Sequence, residues 1–171
     1  MKQSLTRMQF LTGNFRGHRQ VLRPPWIIDE AHFLKLCTSC GDCIQSCPTS
    51  ILVKGRAGLP IVDFNRGECE FCGECVESCK TGALNNTAES GAPPWSLKAA
   101  IDDTCIAYQG VVCRSCAEQC QPRAIVFQLS AGQVPQPSFN QPTCNGCGAC
   151  VSICPVNAIS VYEPSLASVA T

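Results

Sequence analysis

Short apolar stretches, not long amphipathic faces, carry the hydrophobic pattern of this chain. Residues 51–53 and 60–64 are two such stretches around Lys54-Gly55-Arg56-Ala57-Gly58, a pairing that predicts a β-hairpin. Residues 124–129 alternate and predict a strand, Ser130-Ala131-Gly132-Gln133 turns, and residues 134–139 return. Pro135 and Pro137 confine that return to a sheet edge, because proline has no N–H for a second ladder. Residues 158–162 predict a closing strand. Helical spacing occurs at Leu5, Met8, Leu11 or Thr12, and Phe15, with Gly13 and Gly17 limiting the length. Arg23-Pro24-Pro25-Trp26 ends any such helix, and a second short helix is expected over residues 30–36.

The pattern is duplicated. Pro24-Pro25-Trp26 stands eleven residues before Cys37, and Pro93-Pro94-Trp95 stands ten before Cys105. Two modules at roughly 24–86 and 93–163 account for this. The expected organisation is a basic arm over 1–23, module one, a small polar linker at 87–92, module two, and a flexible tail at 164–171. Elements this short bury little, and aromatics are only 6% of 171 residues. Small domains with thin cores draw stability from disulfides or metals.

Sixteen cysteines supply the candidate chemistry, and they fall into four runs. Cys37, Cys40, Cys43 and Cys47 form the first, with Pro48 following; Cys69, Cys72, Cys75 and Cys79 form the second, with Lys80 in the proline's place. Cys144, Cys147, Cys150 and Cys154, followed by Pro155, form the fourth. All three are C-x2-C-x2-C-x3-C, the bacterial ferredoxin spacing, in which thiolates hold [4Fe–4S] cubes. Three cysteines in one loop reach three corners of a cube, and the last ligates the neighbouring cluster. The expected ligand sets are therefore Cys37, Cys40, Cys43 and Cys79, and Cys69, Cys72, Cys75 and Cys47. Zinc fits less well, because its structural sites use two separated C-x2-4-C pairs, and neither His18 nor His32 is placed to help.

The third run departs from the rule. Cys105, Cys113, Cys116 and Cys120 have seven residues in the first gap, and the proline is displaced to Pro122. By the same exchange, Cys105, Cys113, Cys116 and Cys154 hold one cluster, and Cys144, Cys147, Cys150 and Cys120 another. The longer loop either still delivers Cys105 or leaves a three-cysteine or labile site, so four clusters are expected, or three if this run is unfilled. The overall expectation is an α+β protein of two tandem 2[4Fe–4S] ferredoxin-like modules with short strands, short helices and cysteine-rich loops.

Charge narrows the function classes. Thirteen basic residues balance thirteen acidic ones, which gives no nucleic-acid signature. The balance is uneven, however: Lys2, Arg7, Arg16, Arg19 and Arg23 precede the first acid, Asp29. Each loaded cube adds about −2, so four clusters would make the body distinctly acidic beside that basic start. No stretch reaches the roughly 20 apolar residues of a membrane span, and no segment forms an apolar signal core, so a cytoplasmic protein with reduced, metal-binding thiols is expected. A secreted disulfide scaffold is the competing reading of so many cysteines. An enzyme is not expected: there is no nucleotide-binding glycine motif, no nucleophile–base pair, and no cube left with an open iron.

Some features are more particular than a ferredoxin run. Leu11-Thr12-Gly13 with Arg16, Arg23-Pro24-Pro25-Trp26, Cys105-Ile106-Ala107-Tyr108-Gln109, Ala124-Ile125-Val126-Phe127 and Cys144-Asn145-Gly146-Cys147-Gly148-Ala149-Cys150 occur together. In this combination the chain resembles the NapF family, ferredoxin-type accessory proteins of the periplasmic nitrate reductase system. The resemblance implies a cytoplasmic protein whose partner is the precursor of the molybdenum-containing catalytic subunit. It also implies a role in maturing that subunit by supply of electrons or a cluster.

Overall fold

The computed structural model describes residues 21–85, 93–129, 131–132 and 134–164. The helix expected near residues 5–15 and the proposed linker lie outside the described residues, as do all of the tail beyond residue 164 and the arm before residue 21. Helix α1 spans Glu30–Leu36, as the sequence suggests. Asp29 caps it, its carboxylate accepting from the His32 N–H at 2.7 Å, with Glu30 in the first turn and Lys35 in the last. Phe33 is buried on its inner side, and the Arg23 guanidinium stacks 5.1 Å from that ring while bonding Glu30 at 2.7 Å.

Four one-turn helices follow, one inside each cysteine run: α2 at Asp42–Gln45, α3 at Glu74–Glu77, α4 at Ser115–Glu118 and α5 at Ala149–Ser152. Among the described residues the strands make three two-stranded antiparallel sheets. Strand β1 (Leu52–Lys54) pairs with β2 (Pro60–Val62), with Leu52 opposite Val62, which is the expected hairpin. Strand β4 (Ile125–Gln128) pairs with β5 (Gln136–Phe139); Pro137 lies on this edge strand and Pro135 just before it. The closing strand β6 (Ile159–Tyr162) pairs with β3 (Lys98–Ile101), Ala99 lying opposite Val161. Strand β3 escapes the sequence pattern because its centre is two alanines, which carry neither alternation nor β-branching.

Among the described residues the first half has no equivalent of that last sheet. Helix α1 follows the first lead-in as β3 follows the second, and the Asn85 N–H donates to the Trp26 carbonyl at 2.9 Å. Trp26 in turn donates its N–H to the Pro94 carbonyl at 2.8 Å, so the two Pro-Pro-Trp lead-ins touch.

A single apolar core runs through both halves and includes Cys43, Cys75, Cys116 and Cys150. The halves join through their second and fourth cysteine runs. Cys69 donates its N–H to the Cys147 carbonyl at 2.8 Å, and the Trp95 Nε1–H donates to the Asn145 carbonyl at 3.0 Å. Phe64 and Phe71 each meet Trp95 edge-on, with ring centroids 5.8 Å and 5.7 Å away. Gly148 lies directly under the Phe64 ring, where an added Cβ would sit 2.0 Å from Phe64 Cδ1.

That contact yields a matched pair of variants. Gly148 and Gly73 have the same left-handed φ, +80° and +86°, but nothing lies within 4 Å of a Cβ at Gly73. Gly73→Ala should cost about 1 kcal/mol, the conformational penalty alone. Gly148→Ala should cost about 2 kcal/mol more, because a core ring must also move. Thermal unfolding of the anaerobically loaded protein checks this: equal losses would mean that the Phe64–Gly148 joint carries no stability.

Candidate metal centre

The three regular runs share one backbone plan. Left-handed residues stand between the first and second cysteines and directly after the second: Ser39 and Gly41, Phe71 and Gly73, Gly146 and Gly148. Alternating right- and left-handed backbone curls successive N–H groups toward a common centre and makes a nest for negative charge. Ser39 and Phe71 adopt this conformation without being glycine, at φ +57° and +55°. Strain of that kind, of order 1 kcal/mol each, persists where the surroundings over-determine it. The third cysteine of each run then enters the one-turn helix and is buried, at 9%, 7%, 8% and 8% exposure for Cys43, Cys75, Cys116 and Cys150.

Each run also closes alike. Three residues past its last cysteine comes another left-handed residue: Ser50, Gly82, Arg123 and Asn157. The chain turns back there, and in the last three runs a following N–H reaches the sulfur. Leu84 donates to Cys79 Sγ at 3.4 Å, Ala124 to Cys120 Sγ at 3.2 Å and Ala158 to Cys154 Sγ at 3.2 Å.

In space the thiols form four groups, each made of three cysteines of one run and the last of its neighbour. Cys37, Cys40, Cys43 and Cys79 line one cavity of about 290 Å³, which Phe33, Asp42, Lys80 and Thr81 complete. Cys69, Cys72, Cys75 and Cys47 line a second, of about 20 Å³, with Trp26, Ile51 and Glu70. Cys144, Cys147, Cys150 and Cys120 line a third, also about 20 Å³, whose other walls include Ala99, Ile125 and Phe139. The fourth group emerges from electrostatics. Burial pushes the Cys116 thiol up to about 11, and the charges of Cys105, Cys113 and Cys154 push the same way. The enlarged loop of the third run thus still brings Cys105 to its partners, through turns closed by the Tyr108 N–H on the Cys105 carbonyl and the Val111 N–H on the Ile106 carbonyl.

Crowded sulfur is what these groups have in common. Burial first, and neighbouring thiolates second, hold Cys75 and Cys150 up at about 12 and Cys43 at about 11. Cys69 also stands at about 11, from burial, partly offset by a backbone hydrogen bond at Phe71. Cys79 goes the other way: burial alone would raise it, but bonds from Leu84 and Thr81 bring it below its ordinary value. Thiols in this state become thiolates only when a cation takes the proton's place. Among the described residues, no three Cys, His, Asp or Glu side chains close on a single point as the ligands of one ion would. Soft sulfur donors around an enclosed space, with N–H groups aimed at them, are the donor set of an iron–sulfur cube.

Comparison with known proteins agrees with this chemistry. Residues 36–84 match the 4Fe-4S dicluster domain family, and residues 137–160 match the 4Fe-4S binding domain family. The ferredoxin-type protein NapF of Escherichia coli K12 is 43% identical over 160 residues, covering 94% of this chain and 96% of that protein. Its Haemophilus influenzae counterpart is 44% identical with the same coverage. The chain belongs to the NapF family of ferredoxin-type proteins. NapG of E. coli K12, also a ferredoxin-type protein, is 32% identical over 85% of this chain and 72% of its own length. The NapF-type chain is thus an iron–sulfur protein with two 4Fe-4S domains. Its third run, at 105–120, lies outside both matched segments. Among the described residues no helix is long and apolar enough to cross a membrane.

Sequence reasoning missed the residues that frame the cavities. Lys80 follows the second run but lines the first cavity, 3.6 Å from Asp42, because Cys79 crosses over. Burial raises Cys147 of the other half, and the charge of Glu68, one residue before Cys69, adds to it across the joint between the halves. The crossing of the last cysteine was the available signal for Lys80; nothing in the sequence signalled the joint.

The sulfur environments predict an order of reactivity in metal-free protein. At pH 8 the exposed Cys40 and Cys72 should alkylate first, and the buried Cys75 and Cys150 last. Because those two thiols titrate near 12, each unit of pH between 8 and 11 should raise their rate about tenfold. Mass mapping of iodoacetamide labelling checks this, and equal rates at all sixteen would mean that the fold does not hold without metal.

Proposed function

We propose that this NapF-family protein is a cytoplasmic carrier of four [4Fe–4S] clusters that serves the periplasmic nitrate reductase system. The observation that carries the proposal is the crossing of the runs, in which three thiols of one run meet the last thiol of its neighbour in four places. In this reading Cys37, Cys40, Cys43 and Cys79, and Cys69, Cys72, Cys75 and Cys47, hold the clusters of module one. Cys105, Cys113, Cys116 and Cys154, and Cys144, Cys147, Cys150 and Cys120, hold those of module two. Such clusters supply one-electron storage at a potential set by their surroundings. The protein's own part is to fix the thiolates, to aim backbone N–H groups at them, and to exclude water around Cys43, Cys75, Cys116 and Cys150.

The client, on this proposal, is the cytoplasmic precursor of the molybdenum-containing catalytic subunit, and the protein helps to mature it by supplying electrons or a cluster. It acts as an accessory protein, not as an enzyme. The basic N-terminal segment, against an acidic loaded body, is its docking arm. The direct contact between the second and fourth runs, Cys69 to Cys147, also favours the simpler role of an electron-transfer subunit, since it leaves no gap between the halves.

Iron, acid-labile sulfide and zinc per chain after anaerobic purification test the cluster content. About sixteen irons are expected. About twelve would leave the third run unfilled, and zinc alone would overturn the proposal. Pull-down of the nitrate reductase precursor tests the client. Full-length loaded protein should retain it and a chain lacking residues 1–20 should not; that cut spares Leu22 and Arg23, which bond β2 through the Val62 N–H and the Pro60 carbonyl. No retention by the full chain would remove the client, and undiminished retention by the shortened one would remove the arm.

A further inference from the structure

The two cavities of module one differ in ways that the shared cysteine spacing does not require. The first, around Cys37, Cys40, Cys43 and Cys79, has about 290 Å³ of space and is edged by the hydroxyl-bearing Thr38, Ser39 and Thr81. The second, around Cys69, Cys72, Cys75 and Cys47, is edged instead by Pro25, Trp26 and Pro48, with Thr49 its one hydroxyl. Their fixed charges differ as well. The first cavity has both Lys80 and Asp42 in its lining, joined at 3.6 Å. The second has the exposed Glu70 and no lysine or arginine in its lining.

We infer that module one is electrostatically graded, the first thiol group being the easier site to reduce and the second the harder. The inference rests on the proposal that both groups hold cubes. Reduction adds one electron to a loaded group, taking it from about −2 to about −3, with no bond made or broken. A nearby ammonium and hydroxyl groups favour the added charge; an apolar wall and an uncompensated carboxylate oppose it. Lining polarity and fixed charge are separate observations here, and both point the same way. Lys80 and Glu70 are therefore positioning residues that act through the field they set. Lys80 stands where the other regular runs have proline, so it brings to the first group a cation that Pro48 and Pro155 cannot supply.

An anaerobic potentiometric titration of the full-length loaded protein tests this, with dithionite as the reductant, oxidised to sulfite, and paramagnetic resonance as the readout. Glu70→Gln should move one component to higher potential. Lys80→Gln should move a different component, one lying above the first in the unaltered protein, to lower potential. Both variants should keep the iron and sulfide content of the parent. The grading is overturned if both substitutions move the same component, if the component sensitive to Glu70 lies above the one sensitive to Lys80, or if neither moves. Parental iron content with that outcome overturns the grading alone; a parent that binds no iron overturns the underlying proposal as well.

Discussion

Sulfur buried close to sulfur is the constraint on which this structure depends. The third cysteine of every run lies in the core, and the thiols around it are near enough for each negative charge to oppose the next. Without a cation such groups stay protonated and contribute only as small apolar side chains. On the proposed ligand sets, iron would cross-link runs that are distant in sequence. Metal binding then adds to the stability of a fold that already brings these thiols together. The strands are short because they need only connect and orient the runs.

Joining two such modules creates a second demand, that the inner runs approach without exposing backbone. Cys69 and Cys147 meet that demand with a direct N–H to carbonyl bond, and Trp95 seals it with its indole N–H on Asn145 and edge-to-face contacts with Phe64 and Phe71. Gly148 makes the approach possible, because no side chain fits beneath Phe64. The duplicated Pro-Pro-Trp lead-ins have diverged in this setting. Trp95 closes the joint, whereas Trp26 lines the second cavity and bonds Pro94.

The sequence was informative where chemistry repeats at fixed spacing and silent where distant segments meet. The hairpin of β1 and β2, the β4–β5 pair, the β6 strand and helix α1 were all visible, as short apolar stretches set off by turn residues or by the Pro24-Pro25 break. Strand β3 was not, because Lys98-Ala99-Ala100-Ile101 takes its structure from β6 and not from its own side chains. The spacing of the runs indicated which cysteines belong together, but not the size or charge of the cavities they line. Those depend on Lys80 and Glu68 lying beside groups to which their sequence neighbours do not belong.

Crossed thiol groups are the central claim, and iron counting in paired Cys→Ser variants tests it most directly. Cys40→Ser with Cys79→Ser removes two thiols from one proposed group and should lose about four irons, no more than either substitution alone. Cys72→Ser with Cys79→Ser touches two groups and should lose about eight. If instead Cys72 and Cys79 together cost only four while Cys40 and Cys79 cost eight, each run holds its own cluster and the crossing is wrong.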